Sequence, residues 1–333
     1  MAGIKALRKI EIGRETTAGT PAAPTTIWRG MGTIEDSLEL VFPEEDVGYL
    51  SGIDRTYIPQ VEATLEMEEV EATFEQLPHI LEAGVQTDSP SQNGTGSGYI
   101  YTYTFPTTAA NTLKTYTIAG GDNQQAEYFA YGFVESFTLS GASGEAVMMS
   151  ATWKGRQVAT TTFTTTATIP TVEVMLFNKS NLYIDTTGGT IGGTVKSNTL
   201  LGFNLDVDTG WQAVYAGDGQ LYFSFSKSTQ PEVTLDVTFE HDGTAVAEIA
   251  AWRAETARKI RVKVTGSGLT TVGGGTYTTK QMWIDLAGKW DSFEKIGEQD
   301  GNDVVTGTFR ARYDSTATLF AAITVINELS ALP

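Results

Sequence analysis

Val61–Ala83 reads VEATLEMEEVEATFEQLPHILEA. Val61, Ala63, Leu65 and Met67 alternate with Glu62, Thr64, Glu66 and Glu68, the two-residue period of a strand with one dry and one wet face. The spacing then changes, and Val70, Phe74, Leu77 and Leu81 fall at helical intervals. The stretch predicts a strand that runs straight into a helix. The unit returns as Glu232–Glu255, EVTLDVTFEHDGTAVAEIAAWRAE. There Val233, Leu235, Val237 and Phe239 alternate with polar residues, and Val246, Ile249 and Trp252 follow at one-turn spacing. Thr64-Leu65-Glu66 matches Thr234-Leu235-Asp236, so the chain is organised around two copies of one strand–helix unit.

Other pieces repeat in the same order. The turn TTAGT at 16–20 is echoed by TTGGT at 186–190. Each strand–helix unit follows a long excursion, 42–60 in the first half and 208–231 in the second. Val134-Glu-Ser-Phe137 corresponds to Trp290-Asp-Ser-Phe293, and Trp153-Lys-Gly-Arg156 to Phe309-Arg-Ala-Arg312, both at an offset of 156 (290 − 134 and 309 − 153). The strand–helix units are offset by 170 (234 − 64), so the second copy has lost residues. The loss is expected in Leu113–Gly120 and the long loop before it. Tyr99–Phe105, YIYTYTF, reads as a strand with Thr112–Ile118 as its partner. Matching order and turn placement predict a duplicated domain. The expected class is mainly β: two tandem sandwich or barrel domains, each with one flanking helix, over 1–160 and 161–333. The tail Asp314–Pro333 has no counterpart and is expected to be a C-terminal arm.

Composition narrows the function. The chain has 333 residues, a formal net charge of −18 and no cysteine. Residues 1–160 carry −12 and residues 161–333 carry −6, and neither half has a basic stripe. Gripping nucleic acid requires Lys and Arg to neutralise phosphates, so neither it nor an anionic membrane surface is an expected ligand. Disulfides, thiolate metal sites and cysteine nucleophiles are excluded. The N-terminus shows no apolar signal core, and no apolar run is long enough to span a membrane; assembly in a cytoplasm is expected.

The search for chemistry returns little. Two histidines, His79 and His241, build neither a zinc site nor a serine-nucleophile triad. Asp206-x-Asp208 and Asp300-Gly-Asn-Asp303 lack the EF-hand spacing, and the second reads as a hairpin turn. The glycine clusters at 188–193 and 273–275 do not follow the strand–turn–helix order of a nucleotide site. Glu62, Glu66 and Glu68 form a stripe along one strand face rather than the facing pair of a glycosidase. No catalytic, cofactor or metal residues are assigned, and the chain is not read as an enzyme. Six tryptophans leave a carbohydrate-binding module or β-sandwich adhesin as the alternative.

The opening IEIGRETTAGTPAAPTT (10–26), followed by Ile27-Trp-Arg-Gly30, resembles the start of tail tube proteins of long-tailed, non-contractile bacteriophages. The resemblance covers about the first 160 residues. It reaches the second half through the internal repeat, where Tyr183–Gly193 keeps the turn and loses the Arg14-Glu15 pair. It implies β-sandwiches stacked as rings around a DNA channel, in the virion tail, with the tape measure, tail tip and terminator proteins as further partners. Members with one such domain form six-membered rings, so a duplicated chain is expected to close a three-chain, pseudo-sixfold ring. The residues expected to line the lumen are Glu62, Thr64, Glu66, Glu68, Glu232, Thr234, Asp236, Thr238 and Glu240. DNA would pass without specific binding.

Overall fold

The computed structural model describes residues 3–333. We number the strands of six residues or more. In the first half these are β1 (Lys9–Arg14), β2 (Gly32–Leu38), β3 (Val61–Glu71), then helix α1 (Leu77–Gly84), β4 (Tyr99–Thr104), β5 (Tyr116–Gly121), β6 (Ala126–Ala142) and β7 (Met148–Gly155). In the second half they are β8 (Ser180–Thr186), β9 (Leu200–Asp208), β10 (Glu232–Glu240), helix α2 (Gly243–Arg253), β11 (Arg258–Gly268), β12 (Thr279–Phe293), β13 (Asn302–Ala311) and β14 (Ala321–Asn327). The class is mainly β, as expected.

Two layers of antiparallel strands enclose the core. One runs without a break through both halves, in the order β2–β3–β7–β6–β9–β10–β13–β12. The other is β1–β5–β6 in the first half and β8–β11–β12–β14–β4 in the second. The order β2–β3–β7–β6 thus recurs as β9–β10–β13–β12. Alternation builds each strand as the sequence dictates: Val61, Ala63, Leu65 and Met67 are buried, as are Val233, Leu235, Val237 and Phe239.

The long strands β6 and β12 belong to both layers and change layer at a glycine. Gly132 ends the pairing with β5, and Phe133 begins the pairing with β7. Gly288, 156 residues on, pairs with Arg258 of β11 on one side and Ala311 of β13 on the other. A Cβ would lie 2.8 Å from the Tyr116 carbonyl oxygen at Gly132 and 2.2 Å from that of Arg310 at Gly288. Only the missing side chain allows these backbones to cross so closely.

Several expectations are corrected. Val70 stays in β3 and the helix starts at Leu77, because Val70 still pairs with Met149. Helix α2 buries Ala245, Glu248 and Ala251 and leaves Val246 exposed, one position out of the expected face. β4 does not pair with the 112–118 region: its partners are β14 and the short strand Ser91–Gln92. Between α2 and β11 there is no strand equivalent to β4, whereas β5, which overlaps Leu113–Gly120, is matched by β11. The lost residues are therefore the loop and β4. The C-terminal arm is also not free. β14 is clamped between β12 and β4, Tyr101 donates its hydroxyl to the Leu329 carbonyl at 2.6 Å, and Asn327 Nδ2 donates to the Phe74 carbonyl at 2.8 Å.

Buried charge holds the helices and the N-terminal turn. Glu82 of the wholly buried α1 accepts Arg14 Nε at 2.8 Å, Nη2 at 2.6 Å and the Tyr116 hydroxyl at 2.7 Å. In α2, Glu248 accepts Arg258 Nε at 3.0 Å and Trp290 Nε1 at 2.9 Å. Glu15 is buried and accepts the Gly19 and Tyr131 amides, at 2.7 and 2.8 Å, and the hydroxyls of Thr115 and Thr117, at 2.7 and 2.9 Å. The Arg14-Glu15 pair thus splits: Arg14 fixes the helix and Glu15 ties the turn to β5 and β6. His79 sits 3.1 Å from the Tyr116 hydroxyl, and burial, reinforced by Arg14, holds its pKa down to about 3.

Candidate functional site

The unbroken eight-strand layer presents one face to the core and one to solvent. All nine residues expected to form a polar face lie on the solvent side. Glu62, Thr64 and Glu66 alternate with buried residues on β3, as Glu232, Thr234, Asp236, Thr238 and Glu240 do on β10. Cross-strand register carries the face across the layer. Thr64 faces Glu35 and Lys154, Glu66 faces Thr152, Thr152 faces Ser136, and Ser136 faces Asp208. In the second half Asp208 faces Glu232, and Thr234 faces Arg310.

The two stripes are equivalent position by position up to a bulge. Leu65 faces Trp153 as Leu235 faces Phe309, which makes Glu62 the counterpart of Glu232 and Glu66 that of Asp236. β3 then spends one extra residue between Met67 and Val70. The counterpart of Glu240 is consequently Glu71, not Glu68: Glu240 faces Val304 and Glu71 faces Met148. Glu68 falls in the bulge, where its amide bonds the Met31 carbonyl at 3.0 Å.

Sequence reasoning missed further acids on this face, among them Glu35 on β2, Glu71 on β3, and Asp206 and Asp208 on β9. Alternation within β9 could have placed Asp206 and Asp208; nothing local signals that β9 sits beside β6. The basic residues on this face are few and lie near acids. Lys154 Nζ lies 3.6 Å from Glu62 and 3.3 Å from Glu135, and its counterpart Arg310 lies 3.0 Å from Glu232. Lys289, at the far edge, is 3.9 Å from Glu255. The carboxylates feel one another: burial, and then Asp236 across the strand, push the Asp206 pKa up, against a hydrogen bond from Asn204. Asp236 accepts the Thr308 hydroxyl at 2.6 Å.

The face offers no facing pair of carboxyls around a cleft, and among the described residues no group of three or more His, Asp or Glu side chains converges on a point. Five tryptophans, Trp28, Trp153, Trp211, Trp283 and Trp290, are buried, and Trp252 packs against the core. These six side chains serve packing rather than an exposed stacking surface. No helix among the described residues is long and apolar enough to cross a membrane.

A family model described as phage tail tube protein matches residues 6–311. The chain belongs to the phage tail tube protein family. None of the curated proteins compared matches it. As a tail tube protein it is a structural component of the virion tail, it self-assembles and works alongside other tail proteins, and it is not an enzyme. The family match runs through both halves, up to the end of β13, and so spans the whole eight-strand layer of this tail tube protein.

Proposed function

We propose that three copies of this tail tube protein close into a ring, and that rings stack into a tube whose bore is the acidic face of the eight-strand layer. Each chain contributes two tube domains, 1–160 and 161–333, so the ring has pseudo-sixfold symmetry and passes DNA during genome delivery. The observation that carries this reading is the pairing of β6 with β9, which joins the two halves through seven residue pairs from Ser136↔Asp208 to Ala142↔Gly202. β12 is the counterpart of β6, and β2 that of β9. The distal half of β12 and the outer side of β2 are free edges at opposite ends of the layer. Joining them between chains repeats the internal junction, a head-to-tail contact that closes on itself. Duplication makes half of the junctions intramolecular, at high effective concentration.

The electrostatics fit a bore that must not hold its cargo. Each neutralised phosphate adds affinity, whereas a carboxylate wall repels DNA within a Debye length of about 8 Å at physiological salt. Lys154 and Arg310 each carry an acidic partner, and Glu35, Glu66, Asp206, Asp208 and Asp236 leave the face negative. Electron cryomicroscopy of the concentrated protein tests the reading. Rings of three chains with Glu66 and Asp236 on the inner wall are expected. Rings with these side chains on the outer wall, or a chain that stays monomeric at high concentration, would overturn it.

A further inference from the structure

The excursion between β9 and β10 does not wave in solvent. It forms a hairpin, Trp211–Val214 with Phe225–Ser228, that lies back over the first half of the chain. Trp211 and Phe223 pack with Tyr131 and Phe133 in a small apolar cluster of their own. Arg156 clamps it: its guanidinium lies 4.5 Å from the Tyr131 ring and 5.1 Å from the Tyr222 ring, and its Nε donates to the Phe223 carbonyl at 3.1 Å. Tyr215 donates its hydroxyl to Glu62 at 2.8 Å.

The equivalent excursion, between β2 and β3, has no such apolar seat among the described residues of its own chain. Its order is slight, a single bridge between Val41 and Tyr57. Leu40, Phe42, Val47, Tyr49, Leu50 and Tyr57 are all exposed. Counted from the paired strand ends, Leu40 takes the place of Trp211 and Ile53 that of Phe223, so the two anchor positions stay apolar.

The matching seat exists on the second half and is empty. Arg312 is the counterpart of Arg156; its amide bonds the Ala287 carbonyl, one position along from the counterpart of Ala130, to which the Arg156 amide bonds. Its guanidinium has no hydrogen bond or ion pair among the described residues, and its side chain is exposed. It borders a cavity of about 240 Å³ lined by Pro231, Val233, Arg310, Tyr313 and Phe320. Phe133, fully covered by the hairpin, has the exposed Lys289 as its counterpart. The charges are complementary: the excursion carries Glu44, Asp46 and Glu45, the last paired within it to Arg55, and the seat carries Lys289, Arg310 and Arg312. One bond of the internal seat cannot be copied: Val61 donates its amide to the Leu221 carbonyl, and its counterpart Pro231 has no N–H.

We propose that residues 39–60 dock on a second copy of this chain, over Arg312 and the cavity beside Tyr313 and Phe320. The contact repeats between chains what residues 209–231 do within one. It rests on the ring reading above, because only head-to-tail closure brings the excursion to the β12 edge of its neighbour.

The chain lacks cysteine, so paired probes are unambiguous. Ile53→Cys with Tyr313→Cys, treated with a short bismaleimide after assembly, should give covalently linked dimers and trimers, which neither single variant gives. Arg312→Glu should raise the concentration needed for rings by roughly 30-fold, the scale of losing an interface anchor, while its circular dichroism and melting stay those of the unaltered chain. Rings that form with no link between chains, and that Arg312→Glu leaves intact, would overturn the docking and leave the ring reading standing. An unaltered chain that forms no ring at any concentration would remove both.

Discussion

Replacing Arg14 by Met leaves a buried carboxylate without its cation. The Glu82 side chain is 1% exposed, and Arg14 supplies two of its three side-chain hydrogen bonds. Met keeps most of the aliphatic length, so the loss is electrostatic rather than one of packing. Breaking a buried pair by removing one partner costs about 3–5 kcal/mol. Arg14 keeps 27% of its side-chain exposure, which lets water reach the gap, and favours the lower end, about 3 kcal/mol. The variant should lose about 3 kcal/mol at pH 7.5. Urea unfolding of dilute protein followed by tryptophan fluorescence, with the slope checked for constancy, measures the difference. Adding Glu82→Gln should recover at least half of the loss. A loss below about 1 kcal/mol at pH 7.5, or one that Glu82→Gln leaves unrelieved, would refute the reasoning.

Two further outcomes follow from single observations. Gly288→Ala places a Cβ 2.2 Å from the Arg310 carbonyl oxygen, so β12 must open at its crossing at a cost of about 3 kcal/mol, whereas Gly132→Ala, at 2.8 Å, should cost about 1 kcal/mol; equal melting temperatures for the two variants would contradict this. His79 is held neutral in the fold while its unfolded form protonates near pH 6.5, so the unfolded state binds the extra proton and stability should fall by about 1.4 kcal/mol per pH unit from there towards a pH of about 3. His79→Gln should flatten that slope, and an unchanged slope in urea titrations at pH 6, 5 and 4 would rule the assignment out.

Alternation was legible wherever a strand has one wet face. Every apolar residue quoted from Val61 to Met67 and from Val233 to Phe239 is buried, and the offset of 156 survives as the equivalence of β6 with β12 and β7 with β13. Features that depend on distant partners were not legible. β4 has the composition of a strand, but its pairing with β14 spans more than two hundred residues and leaves no local trace. The burial of Glu15 and Glu82 leaves no local trace either, because burial of a carboxylate is decided by its donors, and those lie elsewhere in the chain. The one-residue slip that trades Glu68 for Glu71 arises from a bulge, which alternation alone does not mark. On α2, Glu248 points inward because Arg258 and Trp290 satisfy it, and this rotates the apolar face away from Val246.

A duplicated chain carries a record of its own assembly. In a single-domain ring protein every junction lies between molecules and is invisible in one chain. On the ring reading proposed above, one junction has become internal here, and its parts can be sorted by whether they recur. The edge pairing recurs as free edges, with β12 and β2 in place of β6 and β9. The arm recurs too, but its seat has changed chemistry: Tyr131 and Phe133 become Ala287 and Lys289, while Arg156 is kept as Arg312. Covering an aromatic pair permanently within a chain exposes nothing to solvent. The same pair on an unassembled edge would present an apolar patch before any ring forms. On the proposed docking, exchanging it for Lys289 beside Arg312, opposite an arm rich in acids, would keep the free edge soluble and make the contact between chains more sensitive to salt than the one within the chain.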